Sequence, residues 1–265
     1  MSATDLKGSW ALILGASSGF GAATARALAR KGMNIAGVHL DRKATLPQVE
    51  ALVNELEATG ARVRFFNVNA ADAEKRREVL DALAAECGDG PKVRVLLHSL
   101  AFGALRPFVG DPSETVTQAQ MEMTLDVMAH SLVYWTQDLV ARGLFDRGGR
   151  IFAMTSSGGQ RVWAYYGAVS AAKAALESHI RQLALELAPR GITANAIRAG
   201  VTDTPALRKI PGHQQMVEVA KSRNPMGRLT TPEDVAEAIA LLAEPASYWL
   251  TGNVIGVDGG EDITG

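Results

Sequence analysis

Tyr166 and Lys173 stand seven residues apart in "YGAVSAAK". A phenol and an ammonium on one helix face can do chemistry together: the lysine hydrogen-bonds sugar hydroxyls and lowers the tyrosine's pKa, while the phenol donates to an oxygen gaining negative charge. A spacing of four would need a tyrosine at position 169, which is Val169. At about 100° per residue, a four-residue step turns roughly 40° past one turn and a seven-residue step falls roughly 20° short of two. Both put the pair on one face. They differ along the axis, about 6 Å against about 10.5 Å, so Tyr166 can share a cleft with Lys173 while its hydroxyl stands further back. Taken alone, Lys173 reads as an exposed helix cation in "SAAKAALE", and Tyr165 and Tyr166 as aromatic packing at a helix start. Their joint occurrence behind a glycine-rich turn favours chemistry.

That turn is "LGASSGFGAA", where Gly15, Gly19 and Gly21, with Ser17, Ser18 and Phe20 among them, lie between a strand run and a helix run. Glycines there let backbone N–H groups and a positive helix end approach a pyrophosphate with no Cβ in the way. The reading is a dinucleotide site, against the plainer one of a tight turn that binds nothing. At the end of the second strand run, "VHLDRK" offers Asp41 for a ribose 2′-hydroxyl and Arg42 and Lys43 for a 2′-phosphate. Two cations can embrace a phosphate while Asp41 points outward, which leans to NADPH with NADH as the alternative. A solvated turn of mixed charge is the ordinary fate of such residues.

Along the chain, "WALILG", "MNIAGVHL", "RVRFFNV", "VRVLLHS", "RIFAMTS", "GITANAI" and "NVIGVDGG" are strand candidates. Between the early ones run "FGAATARALARKG", "PQVEALVNELEATG" and "AEKRREVLDALAAECG", each near helical period. The alternation predicts an α/β fold, a Rossmann-type doubly wound parallel sheet of about seven strands with helices on both faces. No repeat or linker-like composition shift interrupts residues 1–265, so one domain is expected. The stretch 202–228, with Pro205, Pro211, Gly212, Pro225 and Gly227, is long enough for a substrate-binding loop or lid. A helix then starts at Thr231 as N-cap with Pro232 behind it.

Composition narrows the partners. With 47% apolar residues, a net charge of -1 and no basic block, the chain lacks the footprint of a nucleic-acid or anionic-membrane binder. The lone Cys87 makes no internal disulfide and no Cys/His cluster has metal-ligand spacing, so no metal is expected and a reducing cytoplasm fits. The apolar run near the N-terminus is too short to span a bilayer and reads as a strand, not a signal peptide.

From "LILGASSGFG" to "GNVIGVDGG" the chain resembles the short-chain dehydrogenase/reductase family. It departs from the commonest branch at two places: Val169 replaces the tyrosine of Tyr-x3-Lys, and Met128 in "LDVMAH" stands where a helix asparagine belongs. Ser156 occupies the family serine position. The departures are similar to those of the enoyl-acyl-carrier-protein reductases, whose Tyr-x6-Lys signature is matched by Tyr166 and Lys173, with "LLHSLAFG" resembling a further stretch of that branch. The ordinary glycine turn, and Leu105, Arg106 and Pro107, resemble the subgroup that preserves it.

The resemblance implies that Ser99 and Leu100 line the cofactor cleft, that Lys173 binds the nicotinamide ribose and that Val201 and Thr204 contact the nicotinamide end. Asn69, with Ala70 beside it, takes the place of an adenine-side aspartate, and Ala101, Phe102, Ser156, Tyr165 and Tyr166 line the substrate pocket. Phe102, Trp163 and Tyr165 read equally as an acyl-chain wall or as ordinary packing. Met121, Met123, Met128, Tyr134 and Trp135 read as core or subunit packing, and His98 as a buried strand-end histidine with a satisfied nitrogen.

The implied activity is NAD(P)H-dependent reduction of a trans-2-enoyl thioester carried on acyl carrier protein, by a homotetramer. Two rivals stay open: a ketone or alcohol oxidoreductase of the ordinary branch, and a catalytically silent dinucleotide-binding protein.

Overall fold

A computed structural model describes residues 6–90 and 92–264. Among them are seven strands: β1 (Trp10–Leu14), β2 (Asn34–His39), β3 (Val63–Asn67), β4 (Val93–His98), β5 (Phe145–Ser156), β6 (Thr193–Ala199) and β7 (Val254–Val257). They form one parallel sheet in the order β3-β2-β1-β4-β5-β6-β7. Every residue of β1, β2 and β4 is buried, which is why their apolar residues run on without alternating, the polar exceptions being Asn34, His39, Arg94 and His98. β5 begins earlier than its apolar run suggests, because Phe145 already pairs with Val93 ahead of an irregularity in the ladder.

Two apolar layers cover the sheet. One face carries α1 (Gly19–Arg30), α2 (Leu46–Glu57) and α8 (Pro232–Ala243), packed through residues such as Leu28, Leu56 and Ile239. The other carries α3 (Ala73–Cys87), α5 (Ser131–Ala141) and α6 (Gly167–Leu187), packed through Leu83, Trp135 and Leu176. Thr231 caps α8 through a reciprocal bond pair with Asp234 behind Pro232, so that helix begins where its cap chemistry predicts. α5 continues α4 (Gln118–Leu125) through a π-helical segment, Asp126–His130, that buries Met128 in the core. Trp135 is also core, with its indole N–H donating to Ala70 O, whereas Tyr134 is partly exposed under the Arg76 guanidinium.

The stretch 202–228 is not one open loop. It holds a short 3₁₀ turn at Leu207–Lys209 and α7 (His213–Arg223), and Thr202 and Thr204 are buried. Among the described residues, no helix is long and apolar enough to cross a membrane.

Candidate active site

In this strand order the chain reverses direction across the sheet between β1 and β4, and the carboxyl ends of the strands at such a switch point are where sheets of this kind take their ligands. Register brings Leu14 beside His98 and Ser156 beside Ala199 at that edge. The loops that follow these residues build the site.

At the base of the site lies the glycine turn. A Cβ on Gly15 would collide with the Ser99 carbonyl oxygen and stand 3.5 Å from Leu100 Cδ2, and a Cβ on Gly21 would drive into the Gly15 carbonyl oxygen. Backbone therefore touches backbone where any other residue would hold the strands and α1 apart. Ser18, the N-cap of α1, makes no side-chain cap bond, and the first turn holds no acidic residue, so the helix start is left to an outside anion. Thr204 reaches over from the β6 side: its Cγ2 would lie 3.5 Å from a Cβ on Gly19. Phe20 points the other way and packs on the α1/α8 layer. This cradle fits a dinucleotide pyrophosphate.

Asp41 is fixed, and inward. One carboxylate oxygen pairs with His39 Nδ1 at 2.9 Å and the other accepts from Thr45 Oγ1 at 2.7 Å. Its backbone N–H and C=O are both bound by the Asn67 side chain, at 2.9 and 3.0 Å. Partial burial works against the charge, but hydrogen bonds from Ser17, Thr45 and His39 outweigh it and hold the carboxyl below its ordinary range. Ser17 belongs to the glycine turn, so Asp41 faces the dinucleotide cradle. The outward Asp41 expected from the sequence is thereby corrected, while Arg42 and Lys43 are exposed. Asn67 was invisible to sequence reading, since only the β2–β3 pairing places it under Asp41. Asn69 is exposed and uses its side-chain oxygen locally, accepting from Ala71 N–H at 3.0 Å, and Ala70 is core.

Above the cradle stand the two residues singled out first. α6 begins at Gly167, so Tyr166 is its N-cap (φ −93°, ψ 1°) and only Lys173 lies inside the helix. A reverse turn delivers Tyr166: its N–H donates to Trp163 O at 3.2 Å across Tyr165, whose φ of 65° is the one positive value at a non-glycine residue among those described. A bulky residue in the left-handed region costs about 1–2 kcal/mol, so surrounding contacts hold this turn. The Tyr166 ring lies so close to Gly158 that a Cβ there would be 2.5 Å from Tyr166 Cε1. Its hydroxyl is 3.4 Å from Ser156 Oγ. Burial pushes the phenol pKa up, so it keeps its proton and donates.

Lys173 is buried, and its ammonium donates to Met154 O at 2.7 Å. Desolvation brings its pKa down to about 8, against the raising field of Glu177. His98 is fully buried, with its pKa lowered to about 3 chiefly by that burial. Its Nε2 lies 2.9 Å from Ser131 Oγ, which itself donates to Val127 O, so His98 is the neutral, hydrogen-bonded strand-end residue its sequence position suggests.

Val169 is core. A Cβ on Gly103 would sit 2.9 Å from Val169 Cγ2, 2.9 Å from Met128 Sδ and 2.8 Å from Thr124 Cγ2, so the loop after β4 is closed down on position 169. Val169→Tyr is expected to overpack this spot, lowering stability by about 1–3 kcal/mol in chemical denaturation and creating no ketone reduction. A variant of wild-type stability that reduces ketones would show that position 169 opens to the cleft.

Exposed apolar side chains rim the mouth. Ala101, Phe102, Phe108, Val162, Trp163 and Tyr165 all present surface to solvent. Phe108 escaped sequence reading. It covers Gly167, where a Cβ would be 2.5 Å from Phe108 Cζ, beside Tyr166 in the chain, and only the fold of the loop after β4 brings it there. Val201, at the far wall, gives its N–H to Glu261 Oε2 at 3.0 Å. Among the described residues, no group of three or more His, Cys, Asp or Glu side chains could hold a metal.

A family model described as Enoyl-(Acyl carrier protein) reductase matches residues 15–261. Cyclohexanol dehydrogenase of a Rhodococcus species is 30% identical, with 96% of each chain aligned. An NADH-type enoyl-acyl-carrier-protein reductase of Aquifex aeolicus is 32% identical over 64% of this chain and 63% of its own. The crystal structure of the enoyl-acyl-carrier-protein reductase from Aquifex aeolicus superposes with a TM-score of 0.85 at 27% identity, covering 99% of both chains.

Proposed function

The chain belongs to the short-chain dehydrogenase/reductase family, an NAD(P)-dependent oxidoreductase fold, and from that premise we propose that it reduces the trans-2 double bond of enoyl thioesters. The observation that carries this reading is the state of position 169. A carbonyl reductase of the ordinary branch needs a hydroxyl one helical turn before its lysine, and there the chain places a core valine under a closed loop. Its phenol stands instead at the helix start, on Tyr166.

When bound, the dinucleotide supplies the hydride that adds to the substrate β-carbon. The chain's own residues do the rest. Gly15, Gly21 and the uncapped start of α1 hold the pyrophosphate, and Lys173 holds the ribose. Tyr166 donates its hydrogen bond to the thioester carbonyl oxygen and stabilises the charge that gathers on it as the enolate forms. A proton taken up from solvent then completes the α-carbon. The exposed apolar rim from Phe102 to Tyr165 gives the acyl chain a surface to lie on.

The cofactor proposed is NADH, in place of the NADPH expected from the sequence. A carboxylate held ionised by three side chains and facing the cradle accepts from a 2′-hydroxyl and repels a 2′-phosphate. Delivery of the acyl group on acyl carrier protein and assembly as a homotetramer complete the proposal.

One observation favours a second reading. The contact of Ser156 Oγ with Tyr166 OH pairs the phenol with a serine, as a ketone or alcohol oxidoreductase would require. Oxidation of NADH and NADPH, followed separately at the nicotinamide absorbance band with crotonyl and acetoacetyl thioesters, decides between them. Turnover of the crotonyl thioester with NADH is the expected result. Turnover of the acetoacetyl thioester alone would establish the second reading, and binding of dinucleotide with no turnover of either would leave a silent binding protein.

A further inference from the structure

α6 carries a stripe that faces the core: Val169, Lys173, Leu176, Ile180, Leu183 and Leu187, with Glu177 in the same buried set. Two of these positions hold charged side chains one helical turn apart, where apolar ones belong. Lys173 has a role in the proposed chemistry. Glu177 has none so far, yet it is as deeply buried as Lys173.

Burying a carboxylate is costly unless something holds it. Here Thr155 Oγ1 donates to Glu177 Oε1 at 2.7 Å. Thr155 lies on β5 between Met154, whose carbonyl accepts from Lys173 Nζ, and Ser156, which meets the Tyr166 hydroxyl. Three consecutive residues of one strand thus engage Lys173, Glu177 and Tyr166 in turn. Gly159 closes the arrangement: a Cβ there would stand 3.4 Å from both Lys173 Cβ and Glu177 Oε1. No direct ion pair joins Lys173 and Glu177 among the described residues, so the carboxylate acts through space, in an interior where charges are weakly screened.

We propose that Glu177 is a positioning residue for Lys173: its buried carboxylate, anchored by the Thr155 hydroxyl, keeps the amine in its ammonium form on the cleft wall. The inference rests on the reading of Lys173 as the ribose-binding residue. Without a fixed negative charge, full burial would drive Lys173 towards the neutral amine, which offers a weaker donor to a sugar hydroxyl and no field to a phenol. The other titratable groups that face it supply no such charge. His98, from β4, is neutral; Tyr166 keeps its proton; and His130, from the π-helical segment, is engaged with His179 of α6 at 3.0 Å.

Glu177→Gln tests this, since the amide keeps an acceptor for Thr155 and removes only the charge. NADH affinity is titrated by nicotinamide fluorescence from about pH 6 to pH 9. In the wild-type protein, binding is expected to weaken as pH rises through the Lys173 pKa of about 8. Glu177 raises that pKa, so its removal moves the limb to lower pH. A one-unit displacement gives about fivefold weaker binding at pH 8, approaching tenfold at pH 9, with almost no change at pH 6. The alkaline limb of kcat/KM moves the same way with whichever thioester or ketone is turned over. The binding titration needs no substrate, so a failure of the enoyl reading leaves this test intact. Should Glu177→Gln fold poorly, Thr155→Val keeps the charge but frees it, and a smaller displacement in the same direction is expected. Superimposable pH profiles, or a loss equal at pH 6 and pH 8, would overturn the proposal.

Discussion

Replacing Tyr166 with phenylalanine is expected to lower kcat on a trans-2-enoyl thioester by about 10²–10³-fold, the usual effect of removing one donor from a developing oxyanion. The fold should not notice. The ring keeps its place against Gly158, and the hydroxyl's neighbour, Ser156 Oγ, is 3.4 Å away, a long and weak contact whose loss leaves no strong hydrogen bond unmade. Dinucleotide affinity should also hold, because Lys173 and the glycine cradle are untouched. Single-turnover rates and a dinucleotide titration on the same preparation separate these effects. Wild-type turnover by Tyr166→Phe would remove the phenol from the mechanism.

Gly21→Ala is expected to damage both the dinucleotide cradle and the fold. Its Cβ would enter the Gly15 carbonyl oxygen while standing 2.8 Å from Gly15 C and 3.2 Å from Ala16 Cα. All three atoms are backbone, and none can swing aside as a flexible side chain would. Either α1 retreats from β1 or the turn opens, and each outcome displaces the donors that face the pyrophosphate. Losing one hydrogen bond to the charged pyrophosphate costs about 1.5–3 kcal/mol, or about 10–100-fold in dinucleotide affinity, together with about 1–3 kcal/mol of stability from overpacking. Calorimetric binding and thermal melting measure both. Gly19→Ala is the comparison: its Cβ would meet only Thr204, at 3.5 and 3.8 Å, and although φ is +52° the penalty should be smaller. Equal losses in the two variants would mean that backbone strain, not the close approach, governs the turn.

Much of the architecture was legible in the sequence because its causes are local. Continuous apolar runs such as "WALIL" mark strands buried on both faces, and Thr231 with Pro232 and Asp234 encodes a helix start within four residues. The glycine turn was legible for the same reason, since strand, turn and helix follow one another within a single βα unit.

Tertiary structure decided what depends on residues far apart in the chain. The direction of Asp41 is set by Ser17 from the glycine turn and Asn67 from β3, and that inward direction is the ground on which NADH is proposed. Val169 says only that a tyrosine is missing; the fold adds that the position is core and has Gly103 packed against it. Phe108 reaches Gly167 and Glu177 meets Thr155 across separations no periodicity can report. The physical reason is common to all four. A sequence pattern records which face of an element is apolar, whereas which side chains meet, and with them the direction and charge of the polar ones, is set by whichever neighbours the completed sheet brings together.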